Sequence, residues 1–130
     1  MIQHLLLPVL LLAASAPGAG AAPGMHSLPQ AMGGTWGYSS EACTNEADDG
    51  RVEVKPREVT FFATYCALRR FRSARDGTIT AHGLCRGEGE TTTERGSVRF
   101  RLDGPDRLVI ALDGGEAHTF LRCERSIPVR

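Results

Sequence analysis

Downstream of an apolar N-terminal run, the residues whose types invite chemistry are Cys43, Cys66, Cys85 and Cys123, with His26, His82 and His118. The cysteines lie 23, 19 and 38 residues apart with no C-x-x-C, so neither a zinc site nor a dithiol redox motif is indicated. Four such cysteines in an oxidising compartment read as two disulfides. Of the three pairings, the sequential one, Cys43 with Cys66 and Cys85 with Cys123, suits a simple up-and-down chain and is the one expected. Loops of these lengths are each worth roughly 3 to 4 kcal/mol on the chain-entropy model. His82 precedes Cys85 by three residues, but a cysteine held in a disulfide is no nucleophile. There is no G-x-S-x-G and no H-E-x-x-H. A non-enzyme without metal or cofactor is therefore expected.

Charge offers a second kind of chemistry. The chain carries 15 basic and 15 acidic residues, which excludes the overall basic footprint of a nucleic-acid binder. Locally, Arg69, Arg70, Arg72 and Arg75 form a run with no acid before Asp76. Strand alternation places Arg70 and Arg72 on one face and Arg69 with Phe71 on the other. Glu88 and Glu90, set among Gly87 and Gly89, are two carboxylates whose spacing lets them point the same way. Arg69, Arg70, Arg72, Glu88 and Glu90 are thus the candidate partner contacts. The oxygen-ligand spacing of an EF-hand is absent, and the glycines around the two acids read as a hairpin loop.

The elements that must position these groups are short. Residues 1–21 have the form of a removable signal peptide, with an apolar stretch from Leu5 to Ala14 and the A-x-A site Ala19-Gly20-Ala21. The apolar run is too short to span a bilayer, so the processed chain is expected in the periplasm or secreted, free of the membrane. About 109 of the 130 residues remain, enough for one small domain that covalent staples would help to stabilise. Residues 22–34, rich in Gly, Pro and Ser, read as an extended arm, residues 35–124 as the domain, and residues 125–130 as a tail.

Within the domain, turn signals recur at Asp49-Gly50, Asp76-Gly77, Arg86-Gly87, Arg95-Gly96, Asp103-Gly104 and Asp113-Gly114. Between them apolar residues alternate with period two, as in Val98, Phe100 and Leu102, or Leu108, Ile110 and Leu112. Candidate strands also include Thr35 to Ser40, Val59 to Thr64, Cys66 to Ser73, Thr78 to Cys85, Thr91 to Glu94 and Glu116 to Cys123. Ser39 to Asp48 has room for a single helical turn. Seven to nine strands joined by hairpins predict an all-β, antiparallel, up-and-down barrel of about eight strands, closed because closure removes exposed edges. A barrel of this size is largely filled by its own side chains and leaves at most a small cavity.

Gly34-Thr35-Trp36 at the first strand resembles the G-x-W that opens lipocalin-type, or calycin, barrels. The resemblance implies that Trp36 plugs the closed end and that Arg122, on the last strand, packs across it. Over Ala31 to Cys66 the chain is also similar to the Inh-type periplasmic inhibitors of bacterial metalloproteases, in which two cysteines placed like Cys43 and Cys66 form a disulfide. Those inhibitors enter the protease cleft through an N-terminal arm, which here corresponds to Ala22 to Ala31. The pair Cys85 and Cys123, and an arm reading Pro23-Gly24-Met25-His26, depart from that pattern. The layout is similar as well to exported proteobacterial proteins of no known role.

Three functions follow as expectations, the last a purely structural or interaction role in the envelope should neither of the first two find support. One is a monomeric binding module that engages a protein, a protease among the candidates, through the arm; removal of residues 22–31 should then abolish binding and leave the fold. Another is a carrier of a small apolar ligand in a cavity lined by residues such as Phe61, Phe100, Ile110 and Phe120.

Overall fold

The structure, a computed structural model, describes residues 24–123; the leader at 1–21 and the tail at 125–130 lie outside the described residues. Eight strands run in chain order: β1 (Gly34–Gly37), β2 (Arg51–Lys55), β3 (Glu58–Phe61), β4 (Thr64–Ser73), β5 (Ile79–Gly87), β6 (Glu94–Leu102), β7 (Arg107–Leu112) and β8 (His118–Arg122). Each pairs antiparallel with its neighbour in sequence, and β8 returns to β1, so the sheet closes into an up-and-down barrel. A short helix, α1 (Ser40–Thr44), follows β1, with the Ser39 side chain accepting from the Ala42 N–H at its start. Gly37 lets it sit there: a Cβ at this position would lie 2.9 Å from the Ala42 Cβ.

Inward residues alternate as the sequence pattern requires. Trp36, Val52, Val59, Leu68, Ala81, Val98, Phe100 and Leu108 are buried and form one core. Two details differ from the period-two reading. Thr91 to Glu94 is not a strand of its own; β6 begins at Glu94 and continues through Arg95-Gly96, so that Gly96 lies opposite Gly83 on β5. A register shift between Leu68 and Arg70 makes a bulge in β4. Gly83 is required at this point, because a Cβ built on it would collide with the Ala67 carbonyl of the bulged strand. In the hairpin turn beyond, the Thr78 N–H donates to Asp76 Oδ1 at 2.9 Å and holds that carboxyl below its ordinary range.

The two disulfides are Cys43–Cys123, with Cα atoms 5.2 Å apart, and Cys66–Cys85, with Cα atoms 4.1 Å apart. Neither the sequential pairing nor the Cys43–Cys66 bond implied by the inhibitor resemblance is present. The reason lies in closure. Because β1 and β8 are neighbours, α1 brings Cys43 beside Cys123 at the end of the last strand, while Cys66 and Cys85 are direct cross-strand partners in the β4–β5 hairpin.

Nor does the arm stand clear of the domain. The Leu28 N–H donates to the Pro56 carbonyl at 2.8 Å, Gln30–Met32 form a 3₁₀ turn, and Leu28 and Met32 are buried in the core, with Met25 packed against it. Removing residues 22–31 thus takes away a core leucine and the Ala31 carbonyl that accepts from Arg122 Nη2 at 2.7 Å. The expected cost is about 2–4 kcal/mol, a fall in melting temperature of roughly 10–25 °C. Leu28→Ala should reproduce most of it in a thermal melt; an unchanged melt for the truncated chain would show that the arm contributes nothing to the barrel.

Candidate functional site

The barrel has one plugged end and one open end. At the plugged end, Trp36 is fully buried and its Nε1 donates to the Met32 carbonyl at 3.0 Å. The Arg122 guanidinium lies 4.2 Å from the centroid of the indole ring. Its nitrogens also donate to the Ala31, Gly33 and Pro105 carbonyls, so one side chain ties the 3₁₀ turn, β1 and the β6–β7 loop together.

At the other end inward positions stay exposed. Tyr38, two residues beyond Trp36, is 50% exposed, and Leu112, two beyond Ile110, is 37% exposed. They border an apolar cup of about 300 Å³ whose floor is Val52, Ile110 and Phe120 and whose wall includes Phe61. The Tyr38 ring packs at 4.5 Å on Phe120 and edge-on at 5.7 Å to His118. Of the four residues expected to line a cavity, Phe61, Ile110 and Phe120 do so, whereas Phe100 is buried deeper in the filled part of the barrel.

Two loops set the rim. Asp48 Oδ1 accepts from the Gly50 N–H at 2.8 Å and the Gly50 carbonyl accepts from the Tyr38 N–H, which fixes Asp49 beside the tyrosine. On the β7–β8 loop, Asp113 accepts from the Ser97 N–H at 2.6 Å and the Gly115 N–H donates to the Leu112 carbonyl, which presents Glu116. Partial burial, and then the negative charge of Glu116, raise the Tyr38 phenol above its ordinary value, so the ring remains neutral through the physiological range. Asp49 and Glu116 escaped the sequence reading because they sit in loops whose Asp-Gly signals spoke only of backbone, whereas His118, named there only as a histidine, opens β8 at the rim. Tyr38 was missed too, although its inward parity with Trp36 was a signal that could have found it.

The predicted contact residues divide between two places. Arg69, Arg70 and Arg72 come together with His82 and Arg95 around a shallow depression of about 610 Å³ on the outer wall of β4–β6. The β4 bulge changes their expected faces: Arg69 leaves the side of the buried Phe71 and joins the exposed arginines. Among the described residues the ion pairs are Arg51 with Glu53 and Arg122 with Asp106, so no described carboxylate pairs with an arginine of this cluster. Glu88 and Glu90 are elsewhere, in the β5–β6 loop, and Glu90 turns back to accept from the Gly87 N–H at 3.1 Å. They do not form a pair aimed at a cation, and among the described residues no group of three or more metal-ligating side chains occurs.

All four cysteines are in disulfides, leaving no thiol for nucleophilic chemistry. Among the described residues no helix is long and apolar enough to cross a membrane. No protein-family model, curated protein or solved structure matches the chain.

Proposed function

We propose that this chain is an exported, non-enzymatic binding module that receives a small apolar ligand, or an apolar side chain of a partner, at the open mouth of its barrel. The observation that carries this reading is the exposure of Tyr38 and Leu112 at positions that face inward, around a cup of about 300 Å³. Inward-facing apolar groups left in water are unfavourable, and a preformed apolar concavity of this size matches the lower range of small-ligand sites. The two disulfides support an oxidising compartment. A protease-directed role for the arm draws less support, because Met25, Leu28 and Met32 are turned onto the barrel.

Indole is a suitable neutral probe. In an ¹H–¹⁵N NMR titration it should shift the amides of Tyr38, Phe61, Leu112 and His118 and leave those of Arg70 and Arg72 in place. Leu112→Trp, which fills the cup with the chain's own ring, should suppress the response. Shifts absent from the mouth, or spread evenly over the surface, would count against the proposal.

A further inference from the structure

The chemistry of the cup is one-sided. Its walls are aromatic and aliphatic, and among the described residues its acidic side chains are Asp49 and Glu116 and no arginine or lysine lines it. This contrasts with the chain as a whole, in which acids and bases balance, and with the arginine-rich outer wall of β4–β6. Neither carboxylate is in an ion pair with another described residue. Both are carried on loops whose backbone is pinned beside the rings, so the two carboxylates are held near the rim before any ligand arrives.

We propose that the mouth binds a small organic cation, an alkylated ammonium group on a short apolar body. The proposal rests on the reading of the mouth as a ligand site and specifies what that site selects. Aromatic rings attract a soft, weakly hydrated cation through their quadrupole, and Tyr38, Phe61 and Phe120 supply three. Asp49 and Glu116 balance its charge from the rim, where a compact, strongly hydrated ion would gain little from the apolar floor. An anion would meet two like charges and no donor cation. The volume is compatible: a trimethylammonium head with two or three further heavy atoms fits within about 300 Å³.

Three probes of one shape separate charge from size: choline, its neutral isostere 3,3-dimethylbutan-1-ol, and the anion 3,3-dimethylbutanoate. Each is titrated into the intact oxidised protein at one fixed pH of about 8, with mouth amides followed by NMR. Choline should bind about tenfold more tightly than the alcohol, and the anion most weakly. The double variant Asp49→Asn, Glu116→Gln, at two exposed loop positions, should bring choline to within about threefold of the alcohol while the alcohol's own affinity holds. Equal binding of choline and alcohol at the mouth, or tighter binding of the anion, would overturn the cation proposal and leave the ligand site standing. No response at the mouth to any of the three, nor to indole, would overturn both. An unchanged preference for choline in a double variant that retains the wild-type melting temperature would remove the carboxylates from the account.

Discussion

Replacing Cys43 and Cys123 together by serine should lower the melting temperature by roughly 15–30 °C. The bond closes a loop with a sequence separation of 80 residues, the other one of 19. The chain-entropy model assigns these about 4.5 and about 3 kcal/mol. Against a total stability of roughly 5–15 kcal/mol, the first alone is a large share. It also sits where the hydrogen-bonded sheet is thinnest: β1 and β8 share two register pairs, Trp36 with Arg122 and Gly37 with Leu121, whereas β4 and β5 share nine. The Cys66–Cys85 pair staples a hairpin already held by the longest ladder, so its double-serine variant should lose less. Calorimetry of the two variants gives the ranking; a larger loss on removing Cys66 and Cys85 would contradict the idea that the β1–β8 seam is the weak line of the barrel.

Trp36→Ala should cost about 3–5 kcal/mol, the range for emptying a buried aromatic site. Three effects combine at this position. The largest fully buried side chain is lost, the Met32 carbonyl loses its indole donor, and Arg122 loses the ring beneath it. Trp36→Phe keeps a ring beneath Arg122 while removing the donor and part of the volume, and should cost less than the alanine change. Arg122→Ala releases the Ala31, Gly33 and Pro105 carbonyls as well as the ring. A double-mutant cycle on Trp36 and Arg122, read from urea unfolding, should give a coupling of about 1 kcal/mol. Additive losses would mean that the guanidinium serves the backbone carbonyls and the indole merely fills space.

Much of this architecture was legible in residue types and spacing. Val98-Phe100-Leu102 and Leu108-Ile110-Leu112 announced strands through their alternation, and the Asp-Gly and Gly-rich turns announced hairpins, which together imply an up-and-down barrel. Trp36 and Arg122 were placed as partners through the resemblance to G-x-W barrels, and the meeting of first and last strands in the closed sheet is what seats one on the other. The same closure should have redirected the cysteines, yet sequence separation favoured nearby pairs, and separation along a chain carries no information about which ends meet in a ring. The bulge at Leu68–Arg70 was hidden for another reason. A bulge inserts one residue into the alternation, so everything beyond it reads with the wrong parity, and Arg69 was assigned to the side of Phe71. Its only advance sign is Gly83, a glycine in mid-strand where a side chain would meet the opposing backbone. The rim of the mouth was the least legible part, since Asp49 and Glu116 act through where their loops end up.

Closure of the barrel by its first and last strands also dictates a sequence of events in time. A chain released from its N-terminus forward can form the β4–β5 hairpin, and join Cys66 to Cys85, as soon as those two strands have emerged. Trp36 has no partner strand on its β8 side, and Cys43 no sulfur to meet, until Arg122 and Cys123 are out. The thiol of Cys43 therefore has no native partner through most of the chain's synthesis or passage. Order alone does not set the pairing, since Cys66 emerges before Cys85; what keeps Cys66 from Cys43 is the β4–β5 register, which places it directly opposite Cys85.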